Sequence, residues 1–325
     1  MSQIFDALQK SEVDRSGNGI SELPAGPELL QRAERLAAST WDIAAPAQQA
    51  EAASALEGDR HAGNANGASK ASGMPAPVDA GAWSAEERAA FFRKVGSLPI
   101  SLQAENRLIF LSDRESPTSE SMRLLSVRLR DHRQISPLKK VLITSSIPRE
   151  GKTTISANLA CALAHGGEEK VLLIEGDIRI PSIRKMFGIE NVPGLCECIQ
   201  GERSLTECIH HLDGAGLWLL PTGRVPANPL AILESPKLTA LMDQLAACFD
   251  WIIIDSPPVL PLADTSVWIR LADGILVVVR QGTSEKQQLQ RGLEALEQKK
   301  LLGALLNCAA TSVYSDYYYR TSAES

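Results

Sequence analysis

The segment from Lys140 to Ala164, KVLITSSIPREGKTTISANLACALA, leaves the chain few folds to choose from. Val141, Leu142 and Ile143 read as a buried strand, and Thr153–Ala164 as an apolar-faced helix. Ser146-x-x-x-x-Gly151-Lys152-Thr153 joins them, with serine where a phosphate loop usually has its first glycine. A loop of this kind turns successive backbone N–H groups into a concavity sized for phosphate, and the helix adds its positive end there. Gly151 allows close approach, Lys152 neutralises β- and γ-phosphates, and the Thr153 hydroxyl suits Mg²⁺. Ser146, Glu150, Gly151, Lys152, Thr153 and Thr154 are therefore the expected nucleotide-binding residues.

Strands and helices alternate from there on. Val171–Glu175, Leu217–Leu220, Trp251–Ile254, Ile275–Val279 and Leu301–Leu306 read as strands. Helical stretches around 183–187, 195–199, 229–233, 236–248, 265–271 and 287–297 separate them. The strands are continuous apolar runs, which belong to a parallel sheet covered on both faces. The expected fold is α/β: a P-loop NTPase-type, doubly wound, mostly parallel sheet flanked by helices, after a flexible N-terminal region. Ligands on such sheets bind at the carboxyl ends of the strands.

Two further strand ends carry acids. VLLI runs into Glu175-Gly176-Asp177, and WIII into Asp255-Ser256-Pro257-Pro258. Carboxylates at these tips suit the surroundings of a metal ion beside the phosphate loop, so Thr153, Glu175, Asp177 and Asp255 form the expected Mg²⁺ set. The 175/177 pair also suits proton abstraction from a tyrosine hydroxyl, whose pKa lies near 10.

Residues 1–15 have the pattern of a short amphipathic helix, and WSAEERAAFFR from Trp83 that of another. Between them the chain is rich in Ala, Gly, Pro, Ser and Gln, a composition too poor in apolar surface to offset the entropy of ordering. The expected division is 1–100 as a mostly disordered region with short helices, 101–310 as the nucleotide-binding domain and 311–325 as a tail. SESMRLLSVRLRDH reads as a helix packed on the domain or across a subunit boundary. A net charge of −6 gives no support to nucleic-acid binding. No apolar run approaches the ~20 residues of a membrane span, and the start lacks a secretory layout, so a cytoplasmic protein is expected. Its six cysteines read as reduced thiols; the cluster Cys196, Cys198, Cys208, His210 and His211 lacks the Cys-x-x-Cys spacing of a zinc site.

The end of the chain, TSVYSDYYYRTSAES, holds all four tyrosines: Tyr314, Tyr317, Tyr318 and Tyr319. Tyrosine used for packing would be spread through the strands. Its confinement to a polar terminus suggests presentation for modification, and full phosphorylation would add roughly −6 to −8 of charge beside Asp316.

With these elements in place, the chain resembles the bacterial tyrosine kinases of capsule and exopolysaccharide synthesis from about Ser119 onward. The resemblance rests on SSIPREGKTT, VLLIEGDIRIP, WIIIDSPP, LLPTGRVPANPLAILES, LADGILVVVRQGTSE and LLGALLN with the tyrosines behind it. MSQIFDALQKSE also looks like the opening of some exopolysaccharide tyrosine autokinases. The resemblance implies ATP- and Mg²⁺-dependent phosphorylation of the tail in trans, within a ring-like homo-oligomer. It implies catalytic roles for Lys152, Glu175 and Asp177, and an adenine contact for Asn307. It further implies activation by a membrane chain-length-determinant or co-polymerase protein, which would hold the chain peripherally at the inner membrane. Polysaccharide enzymes would be further substrates.

Two positions depart from the family pattern. Glu175 stands where the first acid of that segment is usually Asp. Its extra methylene displaces the oxygens by about a bond length, and ~1 Å of misplacement can cost on the order of 10²-fold; activity falls, or Asp177 takes a larger share. In the subunit-contact helix, Glu-x-x-Arg-x-x-Arg begins with Glu120 and Arg123, but its last position holds Ser126, with Arg128 two residues on. The competing reading is a non-kinase ATPase switch of the MinD/ParA type, organising a membrane-associated partner. That class carries a lysine where this loop has Ile147, and it has no reason for the tyrosine tail.

Overall fold

The computed structural model describes residues 83–102, 107–260 and 263–309. The amphipathic pattern at 1–15, the linker and the tyrosine tail lie outside them. In chain order the elements are α1 (Ala85–Lys94), β1 (Gly96–Pro99), α2 (Ile109–Ser112), α3 (Pro117–Ile135), β2 (Lys140–Ser145), α4 (Lys152–Ala164), β3 (Val171–Glu175), α5 (Ile183–Met186), α6 (Leu195–Gln200) and α7 (Leu205–Cys208). They continue with β4 (His210–Asp213), β5 (Leu217–Leu220), α8 (Pro229–Leu233), α9 (Pro236–Cys248), β6 (Trp251–Asp255), α10 (Asp264–Leu271), β7 (Gly274–Arg280), α11 (Lys286–Glu294), a 3₁₀ turn (Gln298–Lys300) and β8 (Leu301–Asn307).

The eight strands form one sheet in the order β1-β4-β5-β3-β6-β2-β7-β8. All neighbours are parallel except β4 and β5, which run antiparallel. The central strands bury both faces because successive side chains point to opposite sides. Val141, Ile143, Leu173, Ile253 and Val278 pack with Phe110, Met122 and α4 on one face. Leu142, Leu172, Ile174, Ile254 and Val277 pack with α6, α9 and α10 on the other. The apolar runs thus serve two cores at once.

The edge next to β5 was not legible. His210-His211-Leu212-Asp213 is polar and Gly96-Ser97-Leu98-Pro99 is short and ends in proline, so neither reads as an apolar strand. Folding begins well before the expected boundary at residue 100. Ser84 and Glu87 make a reciprocal capping box on α1. Phe91 and Phe92 then stack edge-on with Phe249 at 6.3 and 5.3 Å. Helix α1 therefore rests on the domain's own core.

On α3, Ser116 caps the start and Pro117 opens the first turn. Met122 and Leu129 are buried, and Arg130 is tied to Glu169 at 2.8 Å and to the Leu163 carbonyl at 3.0 Å. No helix among the described residues is long and apolar enough to cross a membrane.

Candidate active site

Strand β2 delivers the chain into the loop Ser146–Gly151, and α4 leaves it. Gly151 takes a left-handed φ of +96° and sits so close to Asn307 that a Cβ there would lie 2.1 Å from the amide nitrogen. Both facts restrict the position to glycine. No side chain caps α4, so its first N–H groups remain open to the concavity. Lys152 opens the helix and is buried to 8% exposure. Thr154 follows in the same turn, half-buried.

Two expected nucleotide contacts turn their side chains elsewhere. Glu150 is fully buried; one oxygen accepts from the Ile147 N–H at 2.9 Å and the other from the Ser284 hydroxyl. It braces the loop and offers only backbone to a ligand. Ser146 is buried against α11, where a Cβ on Gly292 would lie 2.3 Å from its hydroxyl. Asn307 donates to the Glu150 carbonyl at 2.9 Å and accepts from the Cys308 N–H at 2.9 Å. Both ends of the amide expected at adenine are thus occupied, holding β8 against the loop.

The acids arrive on β3 and β6, which pair with Glu175 opposite Asp255. Asp255 is 1% exposed and accepts from the Ser156 hydroxyl at 3.2 Å. Burial pushes its pKa up to about 7, against the pull of a hydrogen bond from Thr153 and the charge of Lys152. Burial also raises the pKa of Asp177, while the Ile180 N–H, 3.1 Å away, and Lys152 oppose the rise. Lys152 acts on both carboxylates and Asp177 acts on Asp255, so the three expected groups share one electrostatic neighbourhood. Thr153 joins them, its hydroxyl 3.5 Å from that of Ser182. Gly176 makes the approach of the two strand ends tight. Its N–H donates to the Asp255 carbonyl at 2.8 Å, and a Cβ would meet that oxygen at 2.6 Å and the Trp268 ring at 2.9 Å.

Glu175 corrects the sequence reading. It is fully buried, and its two oxygens accept from the backbone N–H groups of Ile183, at 2.6 Å, and Thr222, at 2.9 Å. The Thr222 hydroxyl returns a bond to the Glu175 carbonyl at 3.1 Å. The carboxylate satisfies two buried donors from two loops, which would otherwise be costly. It is neither free for a metal nor turned toward an incoming hydroxyl, and Asp177 is left as the available acid of the pair.

Several participants were missed. Arg179 grips the buried Asp264 through two bonds, at 2.7 and 2.9 Å, pinning the segment after Asp177 to α10. Trp268 donates to the Gly176 carbonyl at 3.0 Å. Ser156 and Ser182 flank the metal-binding candidates. The polar positions inside the apolar helix α4 were the available signal, since a buried polar group there needs a partner. In the expected interface helix, Arg123 pairs with Glu120 at 2.7 Å and lies over the Phe110 ring, while Arg128 is exposed. Among the cysteines of the zinc-like cluster, Cys196 and Cys208 are buried and Cys198 is half-buried.

A family model described as an AAA domain matches residues 149–300. The tyrosine-protein kinase YwqD of Bacillus subtilis (strain 168) is 34% identical over 220 residues, 67% of this chain and 92% of its own. The tyrosine-protein kinase ptk of Acinetobacter johnsonii is 36% identical over 192 residues, 58% of this chain but only 26% of that longer protein. Among solved structures, the chimerical protein CapA2B2 superimposes with a TM-score of 0.60 at 28% identity, covering 70% of this chain and 99% of that one. The AAA-domain match takes in Lys152 and both acidic strand ends, and the match to YwqD runs through nearly the whole of that protein. By that likeness the chain belongs to the bacterial tyrosine-protein kinases.

Proposed function

We propose that the chain is an ATP- and Mg²⁺-dependent tyrosine autokinase that phosphorylates the C-terminal tyrosines of a neighbouring copy. The observation that carries this reading is the joining of Lys152, Thr153, Asp177 and Asp255 at the open end of α4. The left-handed Gly151, the uncapped helix start and the buried lysine fit a triphosphate. Thr153, steadied by Asp255, would hold Mg²⁺, and Asp177 would complete the metal's surroundings. Bound Mg-ATP supplies the γ-phosphoryl group and the positive charge that offsets its oxygens.

The chain's own residues do the remainder. Lys152 and the N–H groups of the first turn of α4 orient the phosphates. Asp177 accepts the phenolic proton; its raised pKa suits it for that, although positioning contributes more than the base in such transfers. Glu175 and Arg179 fix the segment that carries Asp177. The biological setting we propose is control of capsule or exopolysaccharide export. A membrane chain-length-determinant protein would be the activator that recruits the kinase to the inner membrane, polysaccharide enzymes would be further substrates, and a ring of copies the working assembly.

The test is incubation of purified protein with Mg-ATP and detection of phosphotyrosine, beside Lys152→Ala, Asp177→Asn and a deletion of residues 311–325. Signal in the intact protein, and loss in all three variants, is expected. ATP hydrolysis without phosphotyrosine, even with the cytoplasmic part of the membrane activator present, would sink the kinase reading in favour of an ATPase switch.

A further inference from the structure

The turn after Asp177 leads directly into a second concavity. Ile180 donates to Asp177 and is itself 74% exposed, Pro181 follows, and Ser182 touches Thr153. Next to this segment lies a cavity of about 350 Å³ lined by Pro181, Arg184, Lys185, Gly188, Ile189 and Asn191. Its position is fixed from two sides. Glu175 holds the Ile183 N–H at the start of α5, and Gly188 is packed so tightly on the 101 backbone that a Cβ would lie 2.5 Å from the Ser101 oxygen.

The chemistry of the lining is mixed in a specific way. Arg184 donates through one terminal nitrogen to the Asn191 side chain, but its Nε is buried with no partner. Lys185 is exposed and makes no ion pair among the described residues. Glu190 is the nearest acid in sequence, and it is not part of the lining. Pro181 and Ile189 supply apolar wall. Two cations and an amide beside an apolar wall suit an aryl phosphate, whose oxygens take a guanidinium fork while its ring covers carbon.

We infer that this cavity receives a phosphotyrosine of the incoming tail, while a neighbouring tyrosine is presented to Asp177. The inference rests on the kinase reading above. The tail supplies such an occupant: Tyr317, Tyr318 and Tyr319 are consecutive and Tyr314 is close by, so the first transfer creates the ligand for the next. A singly phosphorylated tail is then a better acceptor than an unmodified one, and modification proceeds through the cluster in order.

The test uses labelled peptides of residues 311–325, one unmodified and one carrying phosphate on Tyr319, with the full-length protein. Direct binding without ATP is measured first, then the transfer rate to each peptide. The phosphopeptide should bind about tenfold more tightly and show a correspondingly lower KM, and phenyl phosphate should compete better than inorganic phosphate. In Arg184→Gln/Lys185→Gln the ratio between the two peptides should fall to about one, and Arg184→Lys should keep part of it, each variant being checked for an unchanged melting temperature. Equal binding of both peptides, or a preference that survives the double substitution, overturns the inference. Because binding is read without ATP, preferential binding with no transfer at all would count against the kinase reading alone.

Discussion

Asp255 and Glu175 are both carboxylates at strand ends, both fully or nearly fully buried, yet their surroundings give them different work. Asp255 has two hydroxyls and a lysine near it, and its pKa rises to about 7 from 3.8. A carboxyl that binds its proton more tightly folded than unfolded stabilises the fold below about pH 4 and loses that contribution as pH rises toward 7. In the ligand-free protein, Asp255→Asn should therefore match wild type more closely at pH 5 and exceed it at pH 8. The difference between the two proteins should change by about 2–3 kcal/mol, measured by urea unfolding. A difference independent of pH would show that the group does not titrate in this window. Glu175 tests the opposite property. If its two backbone bonds are its role, Glu175→Asp cannot span both, and the phosphotyrosine rate should drop roughly tenfold or more. A rise in rate would instead place the residue at the metal. The sequence marked both positions as acids at strand tips, because an apolar run followed by a carboxylate is a local pattern. It could not tell which way Glu175 turns, since its partners, Ile183 and Thr222, come from distant parts of the chain.

At the level of elements, legibility followed burial. Strands β2, β3, β6 and β7 are apolar throughout because helices cover both faces, and they were read to within a residue or so of their ends. Strand β4 was missed because sheet hydrogen bonds with β1 and β5 define it, while its two histidines give no apolar run. Helix α2 was missed for a similar reason: its four residues are held by a side chain from elsewhere. Asn158 on α4 accepts from the Phe110 N–H at 2.9 Å and donates to the Arg107 carbonyl at 2.9 Å, with a further bond to the Thr154 carbonyl at 2.8 Å. It thereby fastens the segment leading into α3 onto the helix that begins at the phosphate loop. Asn158→Leu keeps the bulk and removes the bonds, leaving a buried N–H and a carbonyl without partners. The expected loss is about 2–4 kcal/mol in urea unfolding, with faster hydrogen exchange at the Phe110 amide. Unchanged exchange would mean that packing alone holds α2.

For the whole molecule, the open question is whose tail enters whose site. Strand β8 ends at Asn307, and Asn307 touches the phosphate loop, so the tail is rooted beside its own nucleotide site. From Asn307 to Tyr314 a fully extended chain reaches about 25 Å, so distance alone does not forbid self-modification. Direction argues against it. The accepting oxygen must approach phosphorus in line with, and opposite to, the leaving oxygen of the nucleotide. Asn307 is bonded to the phosphate loop itself, so its own tail would have to turn back sharply within the short link to Tyr314 to present a phenol in line, and fixing that link costs about 1–2 kcal/mol per residue. A neighbour's tail meets no such constraint. Mixing two inactive species separates the cases: Lys152→Ala with its tail intact, and a chain with Lys152 but without residues 311–325. Phosphotyrosine should appear on the Lys152→Ala chain only in the mixture, and its initial rate should rise with the concentration of the tailless partner. For the intact protein the initial rate per chain should fall on dilution. If the mixture stays unlabelled while the intact protein labels itself at a rate independent of concentration, transfer occurs within one chain, and the short link after Asn307 makes the turn at that entropic cost.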